Sequence, residues 1–311
     1  MTVFRAFAPA TVANVGPGLD ILGLALEGPG DFVSAFPAEG GRLVIRSSGH
    51  PELSSDPARN TAGIAAEGVR RRAGPSSTGV ALEIRKGLPL SGGQGGSAAS
   101  AVAAAFATNA LLGSPLSRAE LLEPCLDAEE AVSGRHADNV TAALFGGVVL
   151  IRSMDPFDFV ALPFPRDLLV VLAEPDQRLS TGEARSGLPS AVSRETALSQ
   201  AANVGALVAA LSSGDFELLR RSVDDRIAEP VRAALLPGFP EAKAAALEAG
   251  AFGCSISGSG PAAFAFAAGA EMAGRISAAM REAYASRGVR AGTRVAAVDS
   301  EGARLLPAEE S

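Results

Sequence analysis

Residues 87–100 read GLPLSGGQGGSAAS, and the alanine-rich stretch AVAAAFATNALL follows without a break. Six of those twelve following residues are alanine, the strongest helix former, so a helix is expected to begin at or just before Ser97. A glycine loop running into a helix start is a ready phosphate site. Glycine lets backbone N–H groups converge, and the helix N-terminus adds partial positive charge. Three identities compete for this one. A Walker A loop needs GxxxxGK[ST], and neither of the two lysines, Lys86 and Lys243, fits that pattern. GQGGSA at 93–98 satisfies a relaxed dinucleotide fingerprint, GxGxxA, but that motif turns directly out of a strand. Here the expected strand, 79–85, ends well before Gly93, with Pro89 between them. The third identity is a plain surface turn, since glycine clusters mark loops in general.

The rest of the chain narrows the setting. Its 311 residues suggest two domains or one large one. A hydrophobic content of 47% against 20% charged fits an ordinary globular protein. The net charge of −7, from 27 basic and 34 acidic residues, argues against nonspecific nucleic-acid binding. No membrane span is expected, because Asp20 and Glu27 interrupt the best N-terminal apolar stretch. A charged-then-apolar signal is also missing from the N-terminus. Cys125 and Cys254 form neither a metal spacing nor a disulfide framework, so a reducing cytoplasm is the default location.

Glycine and proline punctuate short expected strands at 3–8, 31–36 and 43–46. Asn60 caps an expected helix running to residue 72, and the alanine-rich helix stops at Leu112 before Gly113. Ser117 to Glu120 reads as a capping box opening a helix that carries Glu129 and Glu130. A strand is expected at 148–152, then a proline-rich crossover at 155–166 between two halves, 1–160 and 161–311. The second half reads as a buried strand at 168–173, helices over 195–234 and 241–248, and strands at 252–257 and 262–267. A helix at 271–286 and a strand at 293–299 follow. Mixed runs of this kind indicate α+β rather than regular βαβ alternation.

Four further segments carry polar chemistry. PATVANVGPGLD at 9–20 offers Asn14 and Asp20, which either contact a ligand or simply cap and turn the chain. EEAVSGRHADN at 129–139 packs Arg135, His136, Asp138 and Asn139 after a helix end. His136 either caps that helix or faces a ligand. Imidazole chelation of a metal is disfavoured, because no second His or Cys stands at useful spacing; oxygen donors suit a hard cation better. STGEAR at 180–185 and EPVRAALLP at 229–237 add Arg185 and Arg232, able to hold a carboxylate through paired hydrogen bonds. GCSISGSGP at 253–261 is a second glycine-serine turn that could pack against the first loop.

Together these blocks resemble the GHMP small-molecule kinases. PATVANVGPGLD, PLSGGQGGSAAS and SISGSGP carry the superfamily likeness, in family order from about residue 8 to 261. SGRHADNV, LSTGEAR and IAEPVRAALLPGF are similar to the homoserine kinase branch. The resemblance implies two domains, the first ribosomal-protein-S5-like α/β and the second ferredoxin-like α+β. It implies ATP and Mg²⁺ as cofactors, L-homoserine as the small-molecule substrate, and a step of threonine biosynthesis. Nucleic acid and membrane are not expected partners, and dimers are common among such kinases.

By the same resemblance, ATP lies against Pro89, Leu90, Ser91, Gly92, Gly93, Gln94, Gly95, Gly96, Ser97, Ala98 and Ala99. Mg²⁺ falls to Ser97 and Glu129. The substrate ammonium meets Asp20 with Asn14, and its carboxylate meets Arg185 and Arg232 with Thr181. The hydroxyl lies near His136 and Asn139, so the implied catalytic set is Asn139, His136 and Glu129. An amide is no proton acceptor, which implies transfer without a strong general base; Asp138 is the alternative. The chain departs from the family pattern GLGSSAA at Gln94 and Gly96, and from a proline at Ala142. Rival readings are a GHMP kinase for another alcohol (mevalonate-, shikimate- or sugar-type), a silent nucleotide-binding regulator, and an NAD oxidoreductase.

Overall fold

The run FRAFAPATVA forms strand β1 (Phe4–Ala13), and a longer β2 (Leu22–Ala38) returns antiparallel along it. Threonine and valine favour a pleated, half-buried surface, which carries β1 past its expected end at residue 8 and leaves Asn14 at its tip. The computed structural model describes residues 3–74 and 78–307. Next come β3 (Leu43–Ser47), α1 (Thr61–Ala73), β4 (Gly79–Arg85) and α2 (Gly96–Leu111). The first half continues with α3 (Leu122–Ser133), α4 (Asp138–Phe145), β5 (Val148–Met154) and β6 (Phe157–Leu162). In the β1–β2 register, Pro9 pairs Gly30 but Ala10 pairs Leu26. That bulge re-aims β2, so that its first residues pair with β5 and its last with β4.

The second half begins with β7 (Leu168–Pro175), α5 (Thr181–Ser186), α6 (Arg194–Ser213), α7 (Phe216–Ser222), α8 (Glu229–Ala233) and α9 (Phe239–Glu248). After these come β8 (Cys254–Ile256), β9 (Ala263–Ala268), α10 (Ala270–Ser286), β10 (Ala291–Ala297) and β11 (Arg304–Leu306). Sheet one is ordered β11-β1-β2-β4-β3, with β5 and β6 branching from β2; sheet two is ordered β10-β7-β9-β8. The mixture of largely antiparallel sheets and helices is the expected α+β class.

Alternation along the second sheet explains how the halves join. Leu168, Val170 and Leu172 of β7, with Phe264 and Phe266 of β9, belong to the same core as the first sheet and α2. Val171, Ala173, Ala263, Ala265 and Ala267 point the other way, into a core shared with α9 and α10. Large side chains fill the space between halves, and alanines let the outer helices approach.

Several expectations change. The supposed crossover at 155–166 mostly belongs to a hairpin, because FDFVAL is rich in aromatic and β-branched residues and pairs with β5 as β6, while the prolines stay at the turn and beyond the end. The Ser117–Glu120 box makes its reciprocal bonds, yet it closes a turn, and α3 starts only at Leu122. The loop read at 135–139 ends in a helix start, since Asp138 and Asn139 begin α4. The strand expected at 252–257 shortens to three residues, and β11 returns unexpectedly to pair with β1. Among the described residues, no helix is long and apolar enough to cross a membrane.

Candidate active site

Loop 87–95 and the start of α2 form one wall of a cavity of about 430 Å³. Gly95 caps α2 in the left-handed conformation and gives no side-chain cap bond, so the first-turn N–H groups stay available. A Cβ on Gly95 would lie 2.0 Å from Thr11 Oγ1, and one on Gly93 would lie 2.8 Å from the Ser257 carbonyl oxygen. Both positions therefore require glycine. The turn at 257–261 does brace the loop: Ser257 Oγ donates to the Gly93 carbonyl at 2.6 Å. Side chains of Gln94, Ala98 and Ala99 turn away from the cavity into buried surroundings, leaving only their backbone for a ligand.

From this wall Ser97 Oγ donates to Glu129 Oε2 at 2.8 Å, and Ser133 Oγ donates to Glu129 Oε1 at 2.6 Å. Glu129 is buried on α3. Asn139, in the first turn of α4, accepts from Thr11 Oγ1 at 2.6 Å. Its neighbour Asp138 is 2% exposed and accepts from the Asn139 N–H at 2.8 Å. Burial first, and the Asp20 charge second, push the Asp138 pKa up to about 7. His136 lies with Nδ1 3.6 Å from Asp20 Oδ1. Burial lowers its pKa, partly offset by Asp20, which favours the neutral ring.

At the far end Arg185 of α5 pairs with Asp20 through both terminal nitrogens. Its helix starts with a capping box, Ser180 with Glu183, which is how STGEAR folds locally. Arg232 of α8 is 2% exposed and donates Nη1 to the Gly258 carbonyl at 2.8 Å. The same carbonyl accepts from Asn14 Nδ2 at 3.0 Å. Burial, then the charge of Arg185, lowers the Arg232 pKa from its ordinary value, yet a guanidinium remains a cation. Asn14, Asp20, Ser97, Glu129, His136, Asn139, Arg185 and Arg232 thus line one cavity. The Thr181 side chain lies outside the described residues.

Similarity to known proteins follows this geometry. A model of the GHMP kinases N terminal domain matches residues 60–147, and one of the GHMP kinases C terminal matches 207–286. A homoserine kinase of Chlorobium phaeovibrioides is 44% identical, with 98% of this chain and 100% of that one covered. The chain belongs to the homoserine kinases, within the GHMP kinases. A member of the family from Arabidopsis thaliana is 43% identical, covering 97% of this chain and 84% of its own. The crystal structure of homoserine kinase from Cytophaga hutchinsonii shares 39% identity, covers 98% of each chain and has a TM-score of 0.94.

Two residues of this GHMP kinase site escaped the sequence reading. Thr11 stands inside an apolar strand and looks like a β-former, with nothing local to mark its bond to Asn139. Lys86 does carry a signal: it is one of two lysines and precedes the loop directly. It lines the cavity, pairs with the fully buried Asp31 and donates to Gly96 O at 2.8 Å and Ser100 Oγ at 3.0 Å.

Proposed function

We propose that the protein transfers the γ-phosphoryl group of ATP to the side-chain hydroxyl of L-homoserine, giving O-phospho-L-homoserine, as expected of a homoserine kinase. One observation carries this reading: Asp20 and the two arginines, Arg185 and Arg232, lie in the same cavity as the uncapped start of α2. An amino acid brings an ammonium and a carboxylate together, and this end of the cavity holds an anion and two cations. Mevalonate lacks the ammonium, and a sugar lacks both.

The ATP phosphates fit the glycine cradle and the free N–H groups of the first turn of α2. Ser97 and Glu129 supply adjacent oxygen donors suited to a hard cation. Among the described residues no cluster of three His, Cys, Asp or Glu could hold a metal, so such an ion would share its shell with phosphate oxygens. Bound there, Mg²⁺ supplies charge neutralisation at the transferring phosphoryl group.

Thr11 donates to Asn139 Oδ1, which fixes the amide and leaves its Nδ2 as a donor toward the cavity. Asn139 then orients the hydroxyl rather than removing its proton, and neutral His136 holds the neighbouring wall. Transfer of this kind asks chiefly for positioning and charge neutralisation. A second reading has Asp138 as the base, favoured by its pKa of about 7. ADP release, measured with homoserine, mevalonate, shikimate and galactose in turn, tests the assignment. Turnover with homoserine alone is expected; preference for another alcohol overturns it, and ATP binding without any turnover points to a silent regulator. Two buried, unpaired cysteines agree with a cytoplasmic setting.

A further inference from the structure

Gln94 lies at the back of the loop, 2% exposed, where its amide meets Arg294 of β10. Three contacts hold the loop there, each from a different segment. The Thr11 N–H donates to Gln94 O at 3.1 Å, Ser257 Oγ donates to Gly93 O at 2.6 Å, and Arg294 Nη2 donates to Gln94 Oε1 at 2.8 Å. The first two grip the backbone and do not involve the side chain at 94. Only the third depends on the glutamine.

The geometry of this contact is tightly specified. Arginine has no acceptor, so the amide must turn Oε1 toward it. Gln94 Nε2 is thereby left buried without a partner, and Arg294 Nη1 is in the same condition. Arg294 Nε is held by Glu174 Oε1 at 3.0 Å, a diagonal neighbour on β7, since Arg294 faces Leu172 and Gly292 faces Glu174. Thr293 takes a hydrogen bond from Ser277 of α10, so strand alternation sends Arg294 to the opposite face, toward the loop. Glycines 93 and 95, both at positive φ, flank the braced residue and add no side-chain contact of their own.

We infer that Arg294 is a positioning residue for phosphoryl transfer: acting through Gln94, it sets the path of the backbone that receives ATP and ties that backbone to the second sheet. The inference rests on the reading of this loop as the ATP site.

The test uses the full chain and initial rates with ATP and homoserine varied separately. Arg294→Met removes the guanidinium and strands both ends of the Gln94 amide in a buried place. The ATP KM is expected to rise about tenfold, with kcat and the homoserine KM within about twofold of wild type. The double variant Gln94→Leu/Arg294→Met removes both polar groups at once, and its ATP KM should return to within about threefold of wild type. Arg294→Lys, keeping one charged donor, should fall between. A rise confined to the ATP KM, reversed in the double variant, is an outcome that general damage to the fold does not produce. An unchanged ATP KM in Arg294→Met, an equal rise in both KM values, or a double variant no better than the single overturns the inference. Should Arg294→Met not fold, the double and lysine variants decide alone. Wild-type protein that fails to turn over ATP with homoserine overturns the functional reading instead.

Discussion

Arg185 grips Asp20 at both carboxylate oxygens, Nη2 to Oδ1 at 2.5 Å and Nη1 to Oδ2 at 3.3 Å. The expected ligands of the substrate's carboxylate and ammonium therefore hold each other. A zwitterion can open this pair and satisfy both members, so neither charge is left alone in a half-buried place. Asp20→Asn and Arg185→Met should each raise the homoserine KM about 10- to 100-fold, and the double variant should cost less than the sum of the two. Homoserine titrations at saturating ATP measure this, and strictly additive losses would uncouple the two residues.

Arg232 has a different character. It is buried, it holds the Gly258 carbonyl that Asn14 also holds, and it has no acidic partner at hydrogen-bond distance among the described residues. Its charge is held at a cost in desolvation, as the proposed carboxylate-binding role requires. Arg232→Leu should raise the homoserine KM by roughly 10- to 100-fold, as expected for a lost charge-assisted hydrogen bond of about 1.5–3 kcal/mol, with the ATP KM little changed. An unaltered homoserine KM would remove Arg232 from the carboxylate site.

Glu129 is positioned by two serines, one on each carboxylate oxygen. Glu129→Gln keeps its size but removes the charge that a hard cation needs. kcat should fall about 100-fold and the Mg²⁺ concentration for half-maximal rate should rise. Turnover near wild type at low Mg²⁺ would exclude this carboxylate from metal binding.

Asp138 gives a pH signature with a defined sign. Its pKa moves from an ordinary 3.8 to about 7 in the folded protein. Well below pH 3.8 both folded and unfolded forms carry the proton, and the group costs nothing. As pH rises, the unfolded chain loses the proton first, so stability falls until the folded pKa is passed; the ceiling on this loss is about 4 kcal/mol. Asp138→Asn should therefore raise Tm relative to wild type at pH 8, with the gain shrinking as pH falls and vanishing only well below 3.8. If Asn139 only orients the hydroxyl, kcat shows no inflection near pH 7 that this variant abolishes. Such an inflection, present in wild type and lost in Asp138→Asn, transfers the base role to Asp138.

Much of the site could be read from residues close in sequence, because glycine spacing, helix starts and arginine chemistry are local signals. The loop into α2 is one such case, and the capped helix carrying Arg185 is another. What escaped depends on long-range partners. Thr11 reaches Asn139 across 128 positions, and Gln94 reaches Arg294 across 200; periodicity cannot encode either contact. The prolines at 156, 163 and 165 misled for a related reason: they mark breaks in pairing without saying which side of a strand they bound. Consequently β6, the second strand of the β5–β6 hairpin, read as part of a crossover, whereas β5 was expected as a strand.

Lys86 is fully engaged inside the protein. Its ammonium has three protons, and three acceptors inside the protein take them: Asp31, Gly96 O and Ser100 Oγ. Asp31 is fully buried and also receives the N–H groups of Gly87 and Leu88. Although Lys86 touches the cavity, it has no donor left for phosphate, and its work is to neutralise Asp31 at the root of the loop. Lys86→Met should leave an uncompensated buried carboxylate and destabilise the fold by roughly 3–5 kcal/mol. Lys86→Met/Asp31→Asn, which removes both charges, should regain much of that loss in urea unfolding. At temperatures where Lys86→Met remains folded, kcat should stay within about threefold of wild type. A loss of about 100-fold in kcat, with unfolding free energy unchanged, would instead make Lys86 a direct phosphate ligand.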